Sequence, residues 1–311
     1  MSDKYYFNRV YSLTIGTPAV GSTGFDEAVY QSGKAKTITG LRVTFDIKKT
    51  ETPESNSCTI TVNNLSDSTR KFIKARNGFS GTGMIVTLRA GYEEMHGNNL
   101  PIIFTGDITN VWHDITAPNV VTTMECHEGR VSIKHSGFSK SYRSGARVRQ
   151  IITDIITELG LPIHAAVDLS ALPDYTLSRG FAFDGLASDA LTRICSGYGL
   201  RWSVQNNSVK VYPTANRNGT PGTDNRAAIT GMLVGSPKRV KKDMKAIDAV
   251  DFIGYEFNAL LMPEVCPGGK VHINSIESGN VILGVSDVHH RGDNWGTGAG
   301  SWNSTIRARD L

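Results

Sequence analysis

The sequence predicts a mainly β chain with an α+β insert: two similar tube-like β-barrel domains and a small α+β middle region. Three observations predict it. Short runs of alternating apolar and polar residues fill residues 5–133 and return from Ala228 onward, the period of a strand with one buried face. Helical spacing is confined to residues 134–213. The end of the chain also echoes its middle. Val86-Thr87-Leu88, Ile108 to His113 and Thr123 to Cys126 form one series, opening just after Gly83. Val271-His272-Ile273, Val285 to His290 and Thr305 to Ala308 form another in the same order, opening just after Gly268-Gly269. The first copy carries an extra loop around Glu93 to Asn99, and the second a Gly-rich loop around Gly292 to Gly300. The expected division is a first barrel at 1–133, a middle domain at 134–213, a linker or long loop at 214–227 and a second barrel at 228–311.

Taken in order, Ile38, Leu41, Val43, Phe45 and Ile47 nearly alternate, and so do Cys58, Ile60 and Val62. The pattern breaks at Asn63-Asn64. Ser66 or Ser68 can cap a short helix through Phe72 and Ile73, which Asn77-Gly78 would stop. Strands resume at Met84–Tyr92, Ile102–Trp112 and Val120–His127. In the middle region Val148, Ile151, Ile152, Ile155, Ile156 and Leu159 make one helical stripe, closed by Gly160 and Pro162. Ala187, Ala190, Leu191, Ile194, Cys195 and Tyr198 make a second, with Asp184 expected as its N-cap and Gly199 as its stop. Leu200–Val204 and Ser208–Tyr212 then flank Gln205-Asn206-Asn207, a hairpin composition. Residues 214–227 are polar and turn-rich.

With 311 residues the chain can hold two or three domains, and a hydrophobic content of 39% with 20% charged residues marks it as globular. A net charge of +4 is too mild to argue for nucleic acid by itself. Cys58, Cys126, Cys195 and Cys266 lie about seventy residues apart, without metal-type pairs. The first three sit at apolar positions and are expected to be buried and reduced. The start shows no secretory leader and no run long enough to span a membrane, so synthesis in a cytoplasm is expected.

Two motifs stand out near the end. In Leu260-Leu261-Met262-Pro263-Glu264-Val265-Cys266-Pro267-Gly268-Gly269, the prolines fix φ and remove amide donors, so a strand cannot run through them. A rigid corner between strands is expected there. In Val288-His289-His290-Arg291-Gly292-Asp293, Gly292 is expected to supply a tight turn and Asp293 to bond its own backbone.

Together with the helix–helix–hairpin closing on Gly199-Leu200-Arg201-Trp202, and with Trp302, these motifs resemble the central baseplate hub proteins of contractile-tailed phages. That group includes the Mu-type tail protein and the late-control protein D group. The resemblance covers the chain from about residue 35 onward. It implies a homotrimer whose six barrels ring the axis, meeting the sixfold tail tube protein on one side and a trimeric spike protein on the other. Contacts with other baseplate proteins, passage of DNA through the ring, and a place in the virion tail baseplate are implied as well. Its structural residues would be Leu260, Leu261, Pro263, Pro267, Gly268, Gly269, His290, Gly292 and Asp293. The spacer Asn294 to Ser301 departs from the family pattern, and no needle-like repeat follows, so the spike is expected to be a separate protein.

Reactive chemistry finds little support. Adjacent His289 and His290 point to opposite faces of a strand and cannot chelate one metal together. No nucleophile elbow or phosphate loop occurs. Arg291-Gly292-Asp293 is an adhesion tripeptide by letters alone. No enzyme activity, metal, cofactor or membrane contact is expected. Lys238, Arg239, Lys241, Lys242 and Lys245 form a dense basic stretch. It suits either an exposed strand edge, where lysines discourage stray pairing, or contact with an acidic partner or DNA. Two other classes stay open: a tail-associated cell-wall hydrolase, for which Glu93-Glu94 is the nearest carboxylate pair, and a monomeric glycan-binding tail-tip module using Trp295 and Trp302.

Overall fold

The computed structural model describes residues 8–18, 30–76, 83–163, 172, 174–213, 226–228, 232–242, 252–275, 279–297 and 301–310. The chain opens with strands β1 (Arg9–Pro18), β2 (Tyr30–Ile38), β3 (Val43–Thr50) and β4 (Ser57–Asn63). Helix α1 (Asp67–Arg76), β5 (Ile85–Tyr92), a single-turn α2 (Glu93–His96), β6 (Ile102–Thr116) and β7 (Asn119–His127) follow. The middle region holds α3 (Arg130–His135), β8 (Gly137–Tyr142), α4 (Val148–Leu159), β9 (Phe181–Leu186), α5 (Ala187–Gly197), β10 (Leu200–Gln205) and β11 (Ser208–Pro213). The last part is β12 (Arg226–Ala228), β13 (Leu233–Lys242), β14 (Phe252–Leu260), β15 (Lys270–Ser275), β16 (Gly279–Asp293) and β17 (Trp302–Asp310).

Thirteen strands join one sheet in the order β13-β14-β17-β16-β3-β4-β7-β6-β5-β1-β2, with β15 on β16 and the short β12 parallel to β15. The mainly β architecture with an α+β insert is thus as expected. The two halves are continuous: β16 pairs antiparallel with β3, from Asp287 opposite Thr50 to Asp293 opposite Thr44. Among the described residues the ladder order ends at β2 and β13, so no ladder closes the sheet on itself. One apolar core runs through both halves, including Leu13, Ile47, Ile60, Leu88, Phe104, Phe257, Trp302 and Ile306. The insert has a separate core made by α4, α5 and the β10–β11 hairpin.

Local chemistry explains most elements. Ser66 caps α1, its Oγ accepting the Thr69 amide at 3.3 Å. The expected stop at Asn77-Gly78 lies outside the described residues. All six stripe residues of α4 are buried, and Gly160 ends it in the left-handed conformation. Asn206 and Asn207 both take positive φ (51° and 59°), the two-residue turn that matches strand twist.

Three expectations need correction here. Asp184 does not cap α5: it sits in β9 opposite Ser139 of β8, and that ladder holds it extended. The helix instead starts at Ala187, whose amide donates to the Ser136 carbonyl at 2.9 Å. The β8 strand itself, exposed at four of six positions, has no alternating apolar signal to announce it. The Glu93–Asn99 loop begins with a helical turn, α2. Of the linker at 214–227, Arg226 and Ala227 belong to β12, and residues 214–225 lie outside the described residues.

Candidate functional site

The sequence echo is a structural repeat of five strands. In the first copy β3, β4, β7, β6 and β5 lie side by side; in the second β13, β14, β17, β16 and β15 take the same order. The registers agree around the long strands, while β13 carries a shift between Val234 and Lys238 that β3 lacks. Val86 faces Gly106 and Leu88 faces Phe104; Val271 faces Leu283 and Ile273 faces Val281. Each long strand bulges at the same place. Pairing with the next strand skips Thr109 in β6 and Ser286 in β16. In both copies the skipped residue's hydroxyl bonds across the ladder: Thr109 Oγ1 donates to the Glu125 carbonyl at 3.0 Å, and Ser286 Oγ to the Arg307 carbonyl at 3.1 Å. Four residues on, His113 Nδ1 meets Thr122 Oγ1 at 3.0 Å, and His290 Nδ1 meets Ser304 Oγ at 2.8 Å. Chance likeness between amphipathic strands would not reproduce a bulge and two side-chain bonds.

Beyond the bulge each long strand becomes an arm. The β16 arm is covered by β3, so Val288 and His290 are buried. Burial, with Lys49 nearby, pushes the His290 imidazole down to about 3, so it is neutral. His289 faces the other way, to Asp46 at 2.9 Å, as the strand period requires. The β6 arm pairs with β7 on one side only: its contacts with β5 stop at Asp107. It leaves Trp112 and Ile115 exposed, Ile115 at 70%. Among the described residues the ladder also stops at β2 and at β13, and β13 is the edge in the second copy. There Lys238 and Arg239 are exposed, so the basic stretch lies on a sheet edge; Lys241 and Lys242 continue that strand, and Lys245 lies outside the described residues.

A buried polar junction locks the insert between the two copies. The tip of the β10–β11 hairpin reaches β3, where Asn206 Oδ1 accepts from the Lys49 ammonium. Lys49 (2% exposed) also lies 3.1 Å from Glu128 Oε1 (0%), but off the hydrogen-bonding direction. The other Glu128 oxygen accepts from Asn56 Nδ2 at 2.8 Å, and the same Nδ2 lies 2.8 Å from the Val204 carbonyl. Gln205 Nε2 donates to the Thr50 carbonyl at 2.7 Å, and Tyr212 donates to the Glu51 carbonyl at 2.8 Å. The Glu51 carboxylate meets Arg201 of the insert at 3.4 Å and Arg309 of β17 at 2.9 Å. Burial raises its pKa against the pull of both arginines. Lys210 Nζ donates to Cys266 Sγ at 3.0 Å; burial alone would push that thiol up, yet the ammonium holds it below its ordinary range. Cys58, Cys126 and Cys195 are buried free thiols, and burial pushes Cys195 up to about 12.

The motif residues take distinct places. β14 ends at Leu260, two turns follow, and Gly268 at φ +76° leads into β15, so the segment is the expected corner. Its ends are tied down. The Leu261 amide donates to Tyr92 Oη at 3.3 Å, Glu264 meets His96 at 2.8 Å, and the Gly268 amide donates to the Val285 carbonyl at 2.9 Å. Gly292, however, makes no turn. It lies in β16 opposite both Phe45 and Trp302, and a Cβ there would run into the Phe45 ring. That ring packs edge-on against Trp302 at 5.2 Å. Asp293 does bond its own backbone, accepting the Trp295 amide at 3.1 Å, and it pairs with Arg42 at 2.8 Å. Burial of Trp302 separates it from exposed Trp295, so the two indoles form no common face. Glu94 accepts the Asn8 amide at 3.2 Å. The junction was missed from sequence: its residues are scattered from Lys49 to Arg309, and no spacing links them.

Several known proteins share this architecture. The 43 kDa tail protein of prophage MuSo2 from Shewanella oneidensis is 9% identical, with 96% of each chain covered and a TM-score of 0.58. The tail protein from Neisseria meningitidis MC58 is 11% identical, again over 96% of each chain, with a TM-score of 0.60. An Escherichia coli type VI secretion component, described as similar to the T4 tail proteins gp27 and gp5, is 10% identical. It covers 88% of this chain and 74% of its own, with a TM-score of 0.55. At such identities the likeness is one of fold. No curated protein sequence matches the chain. The family model for baseplate hub gp41 matches residues 27–190, more than half of the sequence. A duplicated β unit, an α+β insert locked between its copies and this match agree: the chain belongs to the baseplate hub gp41 family of phage tail proteins.

Proposed function

We propose that the protein is the trimeric hub of a contractile-tail baseplate, adapting the sixfold tail tube to a threefold spike. The observation that carries this reading is the repeat, matched down to the bulge and its hydroxyl bond. Three chains with two such units each offer six similar faces around one axis, while the inserts recur only three times. A trimer of this kind meets a sixfold partner through the units and a threefold partner through what differs between them. The likeness of the similar secretion component to two tail proteins at once supports a spike as neighbour.

In this reading the division at 1–133, 134–213 and 228–311 separates unit, insert and unit. Leu260 to Gly269 and His290 to Asp293 shape the second unit without reacting. The basic stretch from Lys238 faces a partner, and the protein works by shape and edge pairing, with no catalytic step. Light scattering with negative-stain imaging tests it. A three-chain ring with a central hole and sixfold density at one end is the expected result. A particle that stays monomeric with and without the spike would overturn it.

A further inference from the structure

Resting on the trimeric reading, we infer that the ring closes by strand addition: the β6 arm of one copy pairs antiparallel with β13 of the next, in the register that β16 and β3 already use within the chain.

The chain contains its own template for this contact. The β16 arm, beyond its bulge, is the segment that β3 covers. Through the repeat, β6 corresponds to β16 and β13 to β3. Within the chain one arm meets one edge; among the described residues the equivalent arm (110–116) and the equivalent edge (β13) in the other copies meet no such partner. They lie in different copies of the unit, so joining them head to tail between molecules repeats the internal contact. Such a heterologous contact makes a ring when its rotation closes.

Carrying the internal register across fixes the pairs. His289 opposite Lys48 becomes Trp112 opposite Val240 of the neighbouring copy, and His290 opposite Ile47 becomes His113 opposite Arg239. Arg291 opposite Asp46, an ion pair at 3.6 Å, becomes Asp114 opposite Lys238. The charges are exchanged, yet the pair stays complementary. Neither Asp114 nor Lys238 has an ion-pair partner among the described residues, and both are exposed. The apolar side chains agree. Ile115 occupies the place of Gly292, which is packed on Phe45, and Val111 that of buried Val288. The neighbouring strand would lie beside Val111 and Ile115 on one face and beside Trp112 on the other, and would bring the exposed Val234 close to this edge. Lysines at the β13 edge then restrict which strand can add to it, admitting an arm that carries an acid at the right step.

Engineered cross-linking tests the register in the full-length protein. Directly opposed strand positions lie within disulfide reach, whereas positions two residues out of register do not. A chain with both Trp112→Cys and Val240→Cys is expected to form a covalent three-chain species under mild oxidation. One with Asp114→Cys and Val240→Cys is expected to form none. A protein that scatters light as a trimer but fails to cross-link through the first pair would overturn strand addition while leaving the hub reading intact. A protein that neither assembles nor cross-links at its highest soluble concentration would overturn the self-pairing too. Charge exchange gives a second readout. Asp114→Lys is expected to raise the assembly midpoint by about 2- to 5-fold per contact, the range of an exposed pair, and adding Lys238→Asp to restore it. Failure of the restoration would overturn the Asp114–Lys238 pairing.

Discussion

The β6–β7 arm and the β16–β17 arm are built alike and buried unlike. Both carry a bulge with a hydroxyl bonded to the facing carbonyl, and both carry a histidine bonded to a hydroxyl on the neighbouring strand. On the first arm Ile115 is 70% exposed; on the second, the equivalent Gly292 lies under an aromatic ring. The difference comes from what lies alongside, since β3 covers one arm and, among the described residues, no strand covers the other. The repeat thus sets backbone shape, and the neighbour sets which side chains the shape can carry. A strand that must admit Phe45 gives up its Cβ; one with no strand beside it among the described residues keeps an isoleucine.

The comparison can be broken at the covering strand first. Lys49 of β3 holds the only cation within ion-pair distance of buried Glu128 among the described residues. Lys49→Ala is expected to cost about 3–5 kcal/mol in urea unfolding, because a buried carboxylate loses its partner, and Glu128→Gln in the same chain should recover part of it. Acid separates the arms next. His290 titrates near 3 when folded and near 6.5 when unfolded, so between those values the unfolded chain binds a proton that the folded chain refuses. Its contribution to stability is complete above about pH 6.5 and falls as pH drops towards 3. His290→Gln should flatten that limb of a stability–pH curve. Gly292→Ala, which drives a methyl into Phe45, should cost about 1–3 kcal/mol. Ile115→Ala at the matching place should leave the isolated chain within about 0.5 kcal/mol of the parent. A matched pair sharpens the likeness: Thr109→Ala and Ser286→Ala should each cost about 1 kcal/mol, and equally. A clear inequality would mean that the two bulges are held by different forces.

The sequence displays the repeat because strand period and residue type survive in it, and α4 and the Asn206-Asn207 hairpin because each is set by local chemistry. The corner at Leu260 to Gly269 was legible for the same reason, since proline and glycine act where they stand. What failed was decided at a distance. Gly292 looks like a turn residue until Phe45, far away in sequence, is placed beside it. Asp184 looks like a cap until β8 pairs with it. The polar junction was invisible because Lys49, Asn56, Glu128, Gln205 and Arg309 carry meaning only together.

The bulge in each long strand also marks a border of ownership. In β16, residues before Ser286 pair with β15 of their own unit, and residues after it pair with β3 of the other. The added twist at that point turns the strand from one allegiance to the next. A unit built this way carries both its inner bonds and its outward link on a single strand, and the link does not depend on whether the next unit follows in the same polypeptide. The number of units per gene and the number per ring are then separate quantities, free to change independently.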